Sequence, residues 1–293
     1  MKNGYLQTVS TVAIGSLAFG AAVAKKAEAQ DGYTLSFSGG IGEASGLNFE
    51  SGGFSSPDLG YYGSIMVSKP FGVGEGYVGL SFYNQDSNQS LSGFSGPSGG
   101  SFSFIENTKW FALDVGTSQQ TGTPGLSWGA GLRGLNVEHG AGFGFDGYGS
   151  GGPGSGGAFS GEFGPRVQFV GLGPRVSANY STLPSAGQFG FSGEVGASAL
   201  YGRKKSEFYG EVTFDGSTMS LGESGVSEDG FLVNLDLTLQ GEYHLSDRSK
   251  IFAGAHVAQF VGLADEFDEG SVRTESLFMG FQIDGETQRT HFL

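Results

Sequence analysis

Asp114, Arg133, Arg175, Glu194, Asp236 and His256 are ionisable residues that recur at comparable places in successive alternating segments. Each stands on the polar row of its segment. The five residues from Asp114 to Asp236 lie some three to eight positions in from the same end of the element, and His256 joins their level. Such an arrangement predicts a cross-strand charge network. Opposite charges on neighbouring strands attract, and an enclosure holding little water strengthens the attraction. A network of this kind has two uses. It can fill and neutralise a narrow interior, or it can form a constriction that selects among passing ions.

Other chemistry has less to draw on. The four histidines (139, 244, 256 and 291) are dispersed, without metal-ligand spacing, and each reads as a polar rim or interior residue. No nucleophile motif accompanies His139, so the roles of a catalytic site cannot be filled. The expectation is a chain that is not an enzyme and needs no cofactor. The stretch from Gly142 to Gly147 half resembles a calcium-binding Gly/Asp repeat, but a single copy reads as a surface loop.

The element that positions these charges is clearest from Phe231 to His244. Phe231, Val233, Leu235, Leu237, Leu239, Gly241 and Tyr243 form one row. Leu232, Asn234, Asp236, Thr238, Gln240, Glu242 and His244 form the other. A strand sends alternate side chains to opposite faces, so one face is apolar and the other polar. The run exceeds the usual strand of about five or six residues. It matches a tilted strand crossing a bilayer, for which roughly 9–11 residues are needed.

The composition agrees. Of 293 residues, 56 are Gly and 26 are Phe, with 11 Tyr, 2 Trp and no Cys. Strands packed around Gly, with aromatics at interfaces, explain both excesses, and the lack of Cys excludes a disulfide framework. Net charge is −14, becoming −16 once residues 1–29 are set aside. So acidic a chain is a poor nucleic-acid binder, since phosphate binding needs clustered Lys and Arg. The exception is Arg203-Lys204-Lys205, placed where a strand leaves the outer leaflet and suited to lipopolysaccharide phosphates.

Residues 1–29 read as a secretory signal. Lys2 is the basic start, Thr11 to Ala24 the apolar region, and Ala27-Glu28-Ala29 an A-x-A cleavage site, with cleavage after Ala24 as the alternative. Residues 30–293 then form one domain. Its segments are Tyr33–Gly39, Leu59–Ser68, Tyr77–Asn84, Ser103–Gly116, Leu126–Val137, Arg166–Tyr180, Phe189–Gly202, Phe231–His244, Ile251–Leu263 and Ser276–Ile283. Long connections (Gln85–Gly100, Glu138–Gly157, Arg203–Gly230 and the acidic stretch around Asp265–Glu269) alternate with short turns. Within Arg203–Gly230, Phe208–Phe214 is expected to prolong its hairpin. A soluble sandwich or solenoid can share the alternation, but not the loop asymmetry or the secretion signal. The expected fold is all-β, an antiparallel transmembrane β-barrel of about ten strands, with eight to twelve allowed. Periplasmic turns are short and extracellular loops long. Closure satisfies every backbone group in lipid.

Several of these segments resemble the Legionella-type major outer membrane proteins, a family of pore-forming barrels. The similar places are Phe111–Gly116, Gly131–Arg133, Phe169–Val176, Val195–Gly202, Val233–Leu237 and Phe252–Gly254, across roughly residues 110 to 260. The resemblance implies an outer-membrane location, export by the Sec pathway and a porin-like role. The expected function is passive diffusion of small solutes or ions through a narrow charged lumen. The alternative is a closed structural or adhesive barrel acting through its surface loops. Expected partners are outer-membrane lipid, lipopolysaccharide, the barrel-assembly machinery and further copies of the chain.

Overall fold

The computed structural model describes residues 32–45, 59–71, 74–94, 100–149, 157–182, 188–220, 224–263 and 271–285. The expected signal sequence, the expected acidic loop at Asp265–Glu269 and His291 lie outside them. The strands are β1 (Thr34–Ser45), β2 (Gly60–Phe71), β3 (Gly74–Phe94), β4 (Gly100–Gln120), β5 (Leu126–Gly149) and β6 (Gly157–Ser181). They continue as β7 (Phe189–Phe214), β8 (Ser217–Ser220), β9 (Ser224–Ser246), β10 (Ser249–Val261) and β11 (Ser271–Asp284).

Successive strands pair antiparallel, and β1 closes on β11. The short β8 folds back on the tip of β7 through Asp215-Gly216, both at positive φ (49° and 78°), as an Asp-Gly hairpin turn requires. It stands outside the ring because β7 pairs onward with β9. Ten strands therefore close the barrel, as the alternation predicts. The start of β1 and the end of β11 meet at one rim, where the Thr34 hydroxyl donates to Asp284 at 2.8 Å.

The two rows read from Phe231 onward face as expected. Phe231, Val233, Leu235, Leu237 and Leu239 are exposed on the outside, while Leu232, Asn234, Asp236 and Glu242 are buried inside. The outer apolar band includes Phe111, Leu113 and Val115 on β4, Trp128 and Leu132 on β5, and Val170, Leu172 and Val176 on β6. Aromatic pairs mark its edges on the β7–β9 hairpin. Phe189 meets Tyr243 at 4.9 Å between ring centroids, and Tyr201 meets Phe231 at 5.0 Å.

A polar ring bounds the band above. Lys109 pairs with Asp86 at 3.2 Å, Arg166 with Glu138 at 3.5 Å, and Arg273 with Glu275 at 2.7 Å. The strands on the β1, β2, β10 and β11 side stop near this ring. By contrast, β3 runs on to Phe94 beyond its last pair with β2, at Asn84. With β4 to β7 and the start of β9 it builds a tall wall on one side of the mouth.

This wall corrects the expected loops at Gln85–Gly100, Glu138–Gly157 and Arg203–Gly230. Much of each is strand, and the expectation that Phe208–Phe214 prolongs its hairpin holds. Gly- and Ser-rich composition reads as loop because isolated Gly weakens a strand. Here each such stretch has a paired neighbour, so ladder hydrogen bonds hold it.

The wall also inverts the polarity of the barrel. Below the ring β6 shows Val176 and Leu172 outward and Arg175 inward. Above it Arg166 and Glu162 face outward, and Val167 and Phe163 inward. Strands β4, β5 and β7 change over in the same way, with Phe104, Phe143 and Phe208 on their inner rows.

Candidate functional site: the filled barrel interior

Inward rows from opposite walls meet inside the barrel as stacked layers. At the rim where β1 starts and β11 ends, the buried Glu242 carboxylate accepts from Lys250 Nζ at 2.6 Å, from Gln240 Nε2 at 2.9 Å, and from the Ser192 hydroxyl. Three strands contribute to this cluster.

Above it lies the charge network. Arg133 holds Asp114 on the adjoining strand with a two-point grip, Nε to Oδ1 at 2.7 Å and Nη2 to Oδ2 at 2.6 Å. Its Nη1 reaches across to β9, donating to Asp236 Oδ2 at 2.8 Å and to the Asn234 side chain. Arg175 grips Asp236 with both terminal nitrogens at 2.9 Å and donates to Glu194 Oε1 at 2.6 Å. Asp236 is therefore shared by two guanidiniums, and five residues predicted as a belt are one connected network. Bidentate, charge-assisted bonds of this kind are the strong ones. Burial of the charges is sustained because each guanidinium finds carboxylates, whereas a lone buried ion is costly.

Sequence reasoning missed Asn234, although it stands two residues before Asp236 on the same polar row. It also placed His256 in the belt. The structure puts His256 on the inner face nearby, but its Nδ1 lies 3.0 Å from the Thr238 hydroxyl and its ring stacks on Tyr62 at 4.9 Å. His256 thus lies beside the network, within electrostatic range of Asp236, while its hydrogen-bond and ring partners place it in an aromatic layer.

That layer went unpredicted. The Trp110 indole lies 6.0 Å from the His256 ring and 6.1 Å from Phe260, both on β10, and its Nε1 donates to Thr274 on β11 at 3.2 Å. Counting either way round the closed sheet, β4 and β10 are five strands apart. Diametrically opposite walls are thus in contact. Tyr62 and Tyr83 pack against the same indole. The alternating row signals that these residues face inward; nothing local signals that they touch across the lumen.

Further up, Val137, Val167, Phe169, Leu200, Leu232, Phe260, Leu263 and Val272 are at most 1% exposed. They come from β5, β6, β7, β9, β10 and β11 and from just past β10, and pack into an apolar plug. His139 and Thr108 sit above the outer apolar band, their side chains 2.9 Å apart. Burial there penalises the imidazolium and holds the His139 pKa down to about 4.

Of the three basic residues assigned to lipopolysaccharide, Arg203 and Lys205 face outward beside Gln168, Val170 and Ser227, which line a cleft with them. Lys204 does not. The strand alternation turns it into the barrel, where it is buried and its Nζ lies 3.4 Å from the Gly262 carbonyl.

No family model and no curated protein matches the chain. Among solved structures it is similar to Neisserial surface protein A at 10% identity, over 86% of this chain and 95% of that one, with a TM-score of 0.32. It is also similar to the outer membrane protease OmpT from Escherichia coli at 10% identity, over 87% and 97%, with a TM-score of 0.35. The toluene transporter TodX from P. putida shares 11% identity over 90% and 92%, with a TM-score of 0.33. Likenesses this distant say nothing of what the chain does.

Proposed function

We propose that this chain is an outer-membrane β-barrel with a closed interior, working through the sheet it raises above the bilayer. The observation that carries the closed reading is the contact of Trp110 with His256 and Phe260 across the full width of the barrel. The charge network beneath and the apolar plug above support it. In this account the charged residues fix the interior in place and do not select ions.

The outer apolar band supports the membrane placement. Its aromatic edges at Phe189 and Tyr201 are twelve residues apart along β7, about 40 Å of strand, or about 28 Å along the barrel axis at the usual tilt of about 45°. That matches the hydrocarbon thickness such barrels cover. Kinship with the Legionella-type major outer membrane proteins, Sec export and assembly by the barrel machinery belong to the same proposal. So does a non-enzymatic role, and so does contact of Arg203 and Lys205 with anionic lipid headgroups.

The test is conductance of the refolded, signal-free chain in a planar bilayer. The closed reading expects a silent membrane even though the barrel has inserted. Discrete conductance steps from inserted protein would return the function to solute passage.

A further inference from the structure

The inner face of the raised wall is built to hold something apolar. From the level of Phe104, Phe143 and Phe163 upward, the inward rows of β4 to β7 contain only Phe, Gly and Val. Their rings form a continuous chain. Phe104 lies 5.7 Å from Phe143, Phe143 lies 6.1 Å from Phe163, Phe163 lies 6.4 Å from Phe145, and Phe145 lies 6.0 Å from Phe159.

Glycines make room for two of these rings. A Cβ added to Gly147 would strike the Phe159 ring, and one added to Gly161 would strike the Phe145 ring. The Phe145 and Phe159 rings therefore each lie over a cross-strand glycine. Phe143 remains 46% exposed, Phe208 50% and Phe214 62%. On the reverse side Tyr209 donates to Glu162 at 2.8 Å and packs under Arg166, so the outer surface is polar. A sheet with a wet outer face and an aromatic inner face spends exposed apolar area where function, not folding, requires it.

We propose that this face binds a small uncharged apolar molecule, an aromatic ring system or short alkyl chain. Chemistry and size both point there. The face carries no charge to recognise an ion. Four strands spaced about 4.8 Å apart and six or seven residues tall give a patch of roughly 400 Å². Stable protein interfaces need about 800 Å² from each partner, so the patch is too small to bind a second copy by itself. Rings tilted by 36° to 71° to one another suit edge-to-face or offset contact with a further ring. The proposal rests on the wall standing in water outside the bilayer.

The test uses the refolded chain in lipid nanodiscs, with N-phenyl-1-naphthylamine as probe and empty nanodiscs as the background. The expected result is a saturable fluorescence increase above background, competed by naphthalene and weakened at least tenfold in the double variant Phe143→Ser, Phe163→Ser. Phe214→Ser, near the tip of β7, is the milder second variant and weakens binding severalfold if the larger change impairs folding. Equal binding by wild type and Phe214→Ser, or no signal above empty discs, overturns the proposal. So does a concentration-dependent dimer whose formation removes the signal. Because the chain has no Cys, Phe143→Cys gives a unique site for a membrane-impermeant maleimide. Labelling without probe binding overturns the ligand proposal alone, and absence of labelling overturns the placement of the wall.

Discussion

Trp110 on β4 and Phe260 on β10 meet at 6.1 Å between ring centroids, although they lie on opposite sides of a ten-stranded ring. A barrel of about eight strands is just filled by side chains, and porins of 16–18 strands enclose water. Ten strands would leave space if the inward residues were small. Here β1 contributes Gly40 and Gly42, and the large rings of β2, β3, β4, β10 and β11 take up that space. Size complementarity between facing walls closes the barrel.

The charge network should respond as one unit. Arg175→Met leaves Glu194 without its guanidinium partner and takes one of two from Asp236, so it should cost about 3–5 kcal/mol. Adding Asp236→Asn should cost far less than it does alone, because the carboxylate has already lost a partner. Urea unfolding of the four proteins in lipid vesicles reads this cycle. Additive losses would mean that the residues are independent.

Gly196 should resist even a methyl group. A Cβ there would meet the Arg175 guanidinium and come within 2.7 Å of Asp236 Oδ1. Gly196→Ala should cost about 1–3 kcal/mol by displacing the guanidinium. The same substitution at Gly241, where a Cβ meets nothing within 4 Å, serves as the control. Equal stability of the two variants would contradict the packing described.

The outer band makes a prediction about lipid. Leu237 faces outward next to the buried Asp236. Leu237→Arg should cost roughly 2–4 kcal/mol in a bilayer, as expected for a charge near the midplane. Unfolding titrations in phosphatidylcholine vesicles measure it, and a cost near zero would invert the assignment of faces.

His139 should make the barrel acid-sensitive. Its folded pKa is about 4, against an unfolded value of 6.5. The folded state therefore holds fewer protons, and stability falls as pH drops from 6.5 toward 4. At pH 5 the loss should be roughly 2 kcal/mol relative to pH 8. His139→Gln should remove that part of the pH dependence while leaving the rest. An identical pH profile in the variant would show that His139 does not titrate as described.

The ring of strands was legible because two rows of opposite character cannot be placed otherwise in Phe231–His244. The same parity put Asp114, Arg133, Arg175, Glu194 and Asp236 inside, where they meet. Parity names the face and not the neighbour, so it could not separate His256, held by Tyr62 and Thr238, from the carboxylates. Nor could it reveal Trp110 touching β10, because contacts across a barrel depend on how large side chains from distant strands fit together. Lys204 was misplaced because three adjacent basic residues were read as one patch, although a strand must turn the middle one the other way. The wall was hidden by composition. Phe143 and Phe145 alternate with glycines that lower strand propensity, and only the pairing with β4 and β6 offsets that cost.

The central claim is that the interior is closed, and single-channel recording from the signal-free chain in a planar bilayer tests it most directly. Insertion is checked on the same preparation by protease protection of the barrel. We predict no conductance steps from the wild type. Trp110→Ala, which empties the contact between opposite walls at a cost of about 3–5 kcal/mol, remains inserted and is silent too, because the charge network beneath and the apolar plug above still fill the lumen. Reproducible conductance steps from the inserted wild type would contradict the account.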